Sequence, residues 1–118
     1  MRKYLLFVTC CLLVPVGHFS ANNLQQPNFC QLFGSVFIEE NNPDRADFLI
    51  FEESSDAFCD VVVYAEMDNR LFANKEGLWH ITTRRGFEDF SVYFVDKRNA
   101  ADFSVYFTDV ESFAGCNN

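Results

Sequence analysis

Acidic side chains are the residues of this chain whose number and spacing could support catalysis. There are 17 Asp and Glu among 118 residues, and some stand in adjacent pairs such as Glu52-Glu53 and Glu88-Asp89. Two carboxylates held a few ångströms apart can hydrolyse a glycosidic bond. Neighbouring residues of a strand point to opposite faces, however, so neither pair converges by itself. A carbohydrate-active hydrolase that uses paired carboxylates is therefore kept as the alternative hypothesis.

Other residue types that carry chemistry are scarce. A nucleophile needs a base beside it, and His80 is the only histidine after residue 21. A position within a strand or on the surface explains it without catalysis. Zinc needs three or four converging ligands, and no loop has the dense acid and glycine spacing of a calcium site. We therefore expect no catalytic residue, no metal and no cofactor.

The most regular acids open a repeated segment. The sequence Asp-Phe-Ser-Val-Tyr-Phe begins at Asp89 and again at Asp102, 13 residues later. Equivalent positions recur every 13 to 15 residues along the chain, at Asp47, Asp60, Asn74, Asp89, Asp102 and Gly115. An Asp that recurs where a turn enters a strand accepts backbone N–H groups there. We predict a structural role for these positions, in preference to calcium binding.

Each opening position is followed by a short run of β-branched and aromatic residues, which is typical of strands. In the last two copies the alternation predicts one core face, formed by Phe90, Val92 and Phe94 and again by Phe103, Val105 and Phe107. No long helix is predicted. The only tryptophan, Trp79, follows an inserted segment (75–78) and aligns with the place held elsewhere by Phe51, Tyr64, Tyr93 and Tyr106.

The first 21 residues have the layout of a secretory signal peptide. Arg2 and Lys3 precede an apolar run from Tyr4 to Val16, which is too short to span a membrane. We predict a signal peptide at 1–21, a flexible arm at 22–29 and a repeat domain at 30–118. The protein is accordingly expected outside the cell, with no membrane association after the signal is removed.

Removal of Arg2 and Lys3 leaves seven cationic against 17 acidic side chains, a net charge of −10. Nucleic acid is excluded as a partner, because neutralising phosphates needs clustered cations. The charge indicates either solubility or attraction to a cationic partner. The dibasic Arg84-Arg85 is interpreted as a solvated turn in preference to a processing site. We expect a monomer.

Three cysteines, Cys30, Cys59 and Cys116, remain after the signal peptide. An oxidising compartment favours their pairing. Small residues recur just before the opening positions, at Ala46, Ala73, Ala101 and Ala114, which indicates close backbone approach. Cys59 holds the same place, so we interpret it as a small buried hydrophobic residue. A Cys30–Cys116 disulfide is then predicted, which would contribute about 4–5 kcal/mol on the chain-entropy model.

The tandem Ala-Asp-hydrophobic-x-Val-Tyr unit, the central Gly77-Leu78-Trp79 and the closing Ser112-Phe113-Ala114-Gly115-Cys116-Asn117 resemble the septoil-knot domain family. The resemblance covers about residues 30–118, and it is weakest over 30–44. It implies a small all-β domain, wound into a seven-crossing torus knot, with no assigned catalytic or binding residue. The six to seven repeats themselves predict a compact closed ring, which could also be an unknotted barrel. We expect a secreted, non-enzymatic binding or structural protein.

Overall fold

The computed structural model describes residues 28–117, and the fold of this segment is all-β, as predicted. It has seven strands: β1 (Gly34–Ile38), β2 (Phe48–Glu52), β3 (Val61–Ala65), β4 (Leu78–Thr82), β5 (Phe90–Phe94), β6 (Phe103–Thr108) and β7 (Gly115–Cys116). No α-helix occurs in the described segment. The predicted signal peptide and most of the predicted arm lie outside it.

A single 3-10 turn precedes five of the seven strands. These turns are Phe29–Gln31, Pro43–Arg45, Arg70–Phe72, Arg98–Ala100 and Glu111–Phe113. Three of them are preceded by an asparagine, at Asn28, Asn42 and Asn69. Each asparagine side chain accepts the N–H of the residue two positions later, at 2.9–3.0 Å. This local bond competes with regular structure and fixes the turn, which explains the asparagines between the strands.

Strands β1 to β6 form a closed parallel barrel, which confirms the predicted ring. Their order around the barrel is β1, β5, β2, β6, β3, β4, and β4 pairs back to β1. β7 runs antiparallel along the first residues of β3, and β4 pairs with the last ones. Closure of this kind removes the exposed edges on which sheets aggregate.

The two halves of the chain interleave around the barrel. With β7 counted between β3 and β4, the order around the barrel is β1, β5, β2, β6, β3, β7, β4. Each strand therefore lies two places further round the barrel than the strand that precedes it in sequence. Every connection therefore passes over one strand of the other half. A strand of five residues is about 16 Å long, and the eight-residue loop 53–60 can extend to about 27 Å. Such loops return to the start of the next strand without a crossover helix.

The inward faces of the strands form the core, which comprises Val36, Ile50, Val61, Val63, Trp79, Phe90, Val92, Phe103 and Val105. Phe94 and Phe107 are half-buried and pack against it, so the core face predicted from the alternation is observed. Phe29 also packs there. Its ring stacks on Phe103 with 4.7 Å between centroids, although the sequence places it in the arm.

Trp79 occupies a different place from the one its alignment predicts. The side chain is completely buried in the core, whereas Phe51, Tyr64, Tyr93 and Tyr106 are half-buried outside the core cluster. Its indole N–H donates to the carbonyl of Leu32 at 3.3 Å. The segment inserted before β4 changes the alignment, and a shift of one residue exchanges the two faces of a strand.

Candidate functional site

The acids that open the strands make the same pair of bonds four times. Each donates its own N–H to the carbonyl of one residue on the neighbouring strand, at 2.6–3.0 Å. It also accepts the N–H of that same residue on its carboxylate oxygen Oδ2, at 2.8–2.9 Å. The pairs are Asp89 with Ser35, Asp102 with Leu49, Asp47 with Ser91, and Asp60 with Ser104.

The geometry explains why these positions carry Asp. In a parallel ladder a strand residue bonds to two successive backbone groups of its neighbour. Immediately before the first residue of a strand, the Asp carboxylate supplies a further acceptor beyond the last backbone group of the ladder. Ser91 and Ser104 add hydroxyl oxygens that accept the N–H of Asp47 and Asp60, at 3.0 and 3.2 Å. Both serines are consequently buried, although they point away from the core.

Asn74 and Gly115, the other two repeat positions, make no such pair. Asn74 is exposed in the loop before β4 and makes no hydrogen bond to a described residue. The carbonyl of Gly77 instead accepts the N–H of Tyr64 at 2.9 Å. Gly77 has φ +82°, and a Cβ there would overlap the backbone of Gly115. The two glycines therefore allow β4 and β7 to share one edge of β3.

The four carboxylates lie at the end of the barrel where its strands begin, here called the amino rim (Asp47, Asp60, Asp89 and Asp102). They occupy the consecutive strands β5, β2, β6 and β3, and all four residues are exposed. Pairing shifts successive strands by two residues. Strand spacing and rise per residue then separate successive acids by about 8 Å along the rim.

A depression of about 510 Å³ opens between Asp47 and Asp89. Phe48 and Phe90 line it together with Phe33, whose side chain is 44% exposed. Carboxylates beside an exposed aromatic ring such as that of Phe33 can hold a cationic group that carries an apolar body. Neither carboxyl is buried in the apolar surroundings that keep a general acid protonated.

The acid pairs considered as active-site candidates do not converge. Glu52 is exposed, whereas Glu53 is buried and forms two hydrogen bonds with Arg98, at 2.6 and 2.7 Å. Glu88 pairs with Arg85 at 3.3 Å, while Asp89 bonds to β1. The imidazole Nδ1 of His80 lies 2.8 Å from the carbonyl oxygen of Glu66, and thus contacts the backbone.

The burial of three glutamates was not predicted from the sequence. Glu39, Glu53 and Glu66 follow β1, β2 and β3, and each is no more than 7% exposed. Glu39 pairs with Arg85 and Glu53 with Arg98. The detectable signal was an aromatic residue two positions before each glutamate, with an arginine 45 or 46 residues after the first two.

Arg85 and Arg98 also stack on those aromatic rings. The guanidinium carbon of Arg85 lies 4.6 Å from the ring centroid of Phe37, and that of Arg98 lies 5.7 Å from the ring centroid of Phe51. Arg84 and Arg85 are both exposed, as expected for a solvated turn. The ion pair of Arg85 with Glu39 and its cation–π contact also join this turn to β1.

These contacts shift the pKa values of several groups. Burial by itself raises the pKa of Glu39, but the N–H groups of Asn41 and Asn42 and the charge of Arg85 hold it below its ordinary value. The Arg98 hydrogen bond lowers the pKa of Glu53 and is the main cause of the raised pKa of Arg98. The pKa of Glu88 is also lowered, chiefly because its carboxylate accepts the backbone N–H groups of Glu88 itself and of Gly86.

Cys30 and Cys116 are placed at disulfide-bonding distance, with their Cα atoms 4.9 Å apart and a separation of 86 positions in sequence. The bond joins the turn before β1 to β7. Cys59 is buried, has no disulfide partner in the described segment, and donates its S–H to the carbonyl of Asp56 at 3.5 Å. Burial, followed by the nearby Asp56 charge, raises the pKa of its thiol.

Residues 28–117 contain neither a cluster of metal ligands nor a membrane-spanning helix. No three His, Cys, Asp or Glu side chains of this segment are grouped as metal ligands. None of its helices has the length and apolar character needed to cross a membrane.

Short parallel strands in a closed ring, with Asp bridges repeated between neighbours, define the class as a small β-repeat barrel. The sequence model of the 7(1) septoil knot domain family matches residues 29–117, and the chain belongs to that family. No curated protein and no solved structure matches the chain significantly. Family membership assigns no activity here, so function must be argued from the site.

The lowered carboxyl pKa values predict acid destabilisation. At pH values near the ordinary pKa of 4.5, the carboxyls of Glu39, Glu53 and Glu88 bind fewer protons in the native protein than in the unfolded chain. Their contribution to stability is therefore present above that pH and is lost as pH falls through the folded-state values. Urea unfolding from pH 7 to pH 3 should show a falling midpoint below about pH 5.

Glu53→Gln should flatten this pH dependence, because it removes one of the three carboxyls. Glu40→Gln is the matched control, since Glu40 is exposed and makes no hydrogen bond to a described residue. Its pH profile should coincide with that of the unsubstituted protein. A midpoint that stays constant down to pH 3 would contradict the assignment.

Proposed function

We propose that the protein is a secreted, non-enzymatic binding protein whose amino rim recognises a cationic partner. The proposal rests on four exposed carboxylates that lie on consecutive strands of a closed barrel. Each carboxylate accepts a hydrogen bond from a backbone N–H, which fixes its position. Because these side chains are already ordered, a partner does not have to immobilise them on binding.

Electrostatics and shape support the same function. The expected mature charge of −10 accelerates encounters with cations. The depression between Asp47 and Asp89 offers aromatic surface next to charge, which favours a cationic group on an apolar side chain or backbone. One rim with acids about 8 Å apart can engage several cations of one partner at once, as a basic peptide segment would present them.

The hydrolase remains the second candidate because Asp47 and Asp89 line one depression. Their backbones lie about 8 Å apart, a spacing of the same order as the carboxyl separation in glycosidases that work with inversion. That chemistry needs one carboxyl that stays protonated in apolar surroundings. Both residues are exposed and both give Oδ2 to a backbone N–H, which favours binding over hydrolysis.

We further propose that the barrel is a kinetically stable scaffold. Its strands follow one another two places apart, so the path passes twice around the ring, as a seven-crossing torus knot requires. Threading is rare among folded chains, and the knotted family supports it here. A threaded chain closed by the Cys30–Cys116 bond would unfold slowly, which protects an extracellular protein from proteolysis.

Cation binding predicts a steep dependence on salt. Octalysine titrated into the purified protein should bind at 20 mM NaCl and lose most of its affinity at 300 mM, because exposed charges are screened. The double variant Asp47→Asn, Asp89→Asn keeps oxygen acceptors for the strand N–H groups. It should bind about 2- to 30-fold more weakly, as the loss of two exposed charge pairs implies.

Asp96→Asn is the matched control, since Asp96 is an exposed acid in the turn after β5. Its affinity should change far less than that of the double variant. Absence of octalysine binding at low salt, or equal loss in both variants, would refute recognition at the amino rim. Glycoside cleavage that disappears in the double variant would instead establish the hydrolase.

The scaffold predicts slow digestion that depends on one disulfide. Incubation with thermolysin should leave the oxidised protein intact for hours, whereas the double variant Cys30→Ser, Cys116→Ser should be digested at least 10-fold faster. Closing a loop of this length contributes about 4–5 kcal/mol on the chain-entropy model. Cys59→Ser is the control without a disulfide change. Rapid digestion of the oxidised protein would contradict a kinetically stable scaffold.

A further inference from the structure

Each of the first three strands has an aromatic residue near its end and a buried glutamate directly after it. Phe37 and Glu39 end the first copy, Phe51 and Glu53 the second, and Tyr64 and Glu66 the third. In the first two copies an arginine from a later loop stacks on the ring and pairs with the carboxylate. The third copy keeps the half-buried ring and the buried carboxylate, but no arginine from the described part of the chain pairs with it.

The individual oxygens of Glu66 correspond to those of Glu39. Oε2 of Glu39 accepts the N–H groups of Asn41 and Asn42, and Oε1 receives Arg85. Oε2 of Glu66 likewise accepts the N–H groups of Asp68 and Asn69, at 2.9 and 3.2 Å. Its Oε1 has no hydrogen-bond partner in residues 28–117. The free oxygen is therefore the one that binds a guanidinium in the first copy.

The residue that would supply the third arginine is an acid. Arg98 stands 45 residues after Glu53, and Glu111 stands 45 residues after Glu66. The turn Glu111–Phe113 lies against β3 as the turn Arg98–Ala100 lies against β2. Glu111 is exposed and borders a depression together with Lys75 and Glu76. The turn position that carries an arginine beside β2 thus carries a carboxylate beside β3.

We propose that Glu66, Tyr64 and Glu111 form a binding site for an arginine side chain of a partner protein. A buried carboxylate with an open oxygen is costly unless a donor satisfies it. A planar guanidinium can stack on Tyr64 while it donates to Glu66, which an ammonium does less well. The site lies beyond the carboxyl end of β3, whereas Asp60 of the amino rim opens that strand. It therefore stands independently of the rim's proposed function.

N-acetyl-arginine-methylamide is the probe that tests this site. Titration into the purified protein should move the NMR resonances of the Tyr64 ring and of the Glu66 amide in a saturable way. The lysine analogue should bind several-fold more weakly, and the uncharged citrulline analogue should not bind. Glu66→Gln should weaken arginine binding about 10-fold or more, because the hydrogen bond loses its charge.

Glu111→Arg tests the same inference from within the chain. It should complete the third arginine–glutamate–aromatic unit, raise the unfolding midpoint and abolish the response to the arginine probe, whereas Glu111→Gln should still bind. The double variant Asp47→Asn, Asp89→Asn should bind the probe normally, which separates this site from the amino rim. No arginine-dependent shift at Tyr64, or equal binding by Glu111→Arg and the unsubstituted protein, would overturn the proposal.

Discussion

The carboxylate that accepts an amide proton from a neighbouring strand is the contact on which this barrel depends. It occurs at four of the six strand pairings, β1–β5, β5–β2, β2–β6 and β6–β3. Strands of five or six residues offer few ladder bonds per pair, so one further charge-assisted bond is a large share of each pairing. It also fixes the register, because the same Asp donates and accepts at one partner residue.

The interleaved order of the strands explains why the sequence repeats. Every one of the Asp bridges joins residues 44 to 54 positions apart, one from each half of the chain. The four strands β2, β3, β5 and β6 therefore have equivalent neighbours and share an equivalent opening residue. The buried glutamates extend this rule to the other end of β1 and β2, where Arg85 and Arg98 tie the returning loops to the barrel. Both ends of these two strands are thus fixed by carboxylates.

Features carried by local periodicity could be predicted from the sequence. The alternation of Phe103, Val105 and Phe107 identified the core face, and the spacing of the opening acids identified the strands. Features that depend on contacts between the two halves of the chain could not be predicted from local periodicity. The parallel interleaving, the burial of Glu39 and the pairing of Arg85 all join distant segments, and an acid in a polar turn is ordinarily exposed. Trp79 was misplaced because an insertion hides its register.

Amide hydrogen exchange measures the Asp bridges most directly. The account predicts that the amides of Ser35, Leu49, Ser91 and Ser104 exchange as slowly as those of the core strands, since opening them requires the barrel to open. Exchange as fast as that of an exposed loop amide such as Asp96 would contradict the bridges and the account that rests on them.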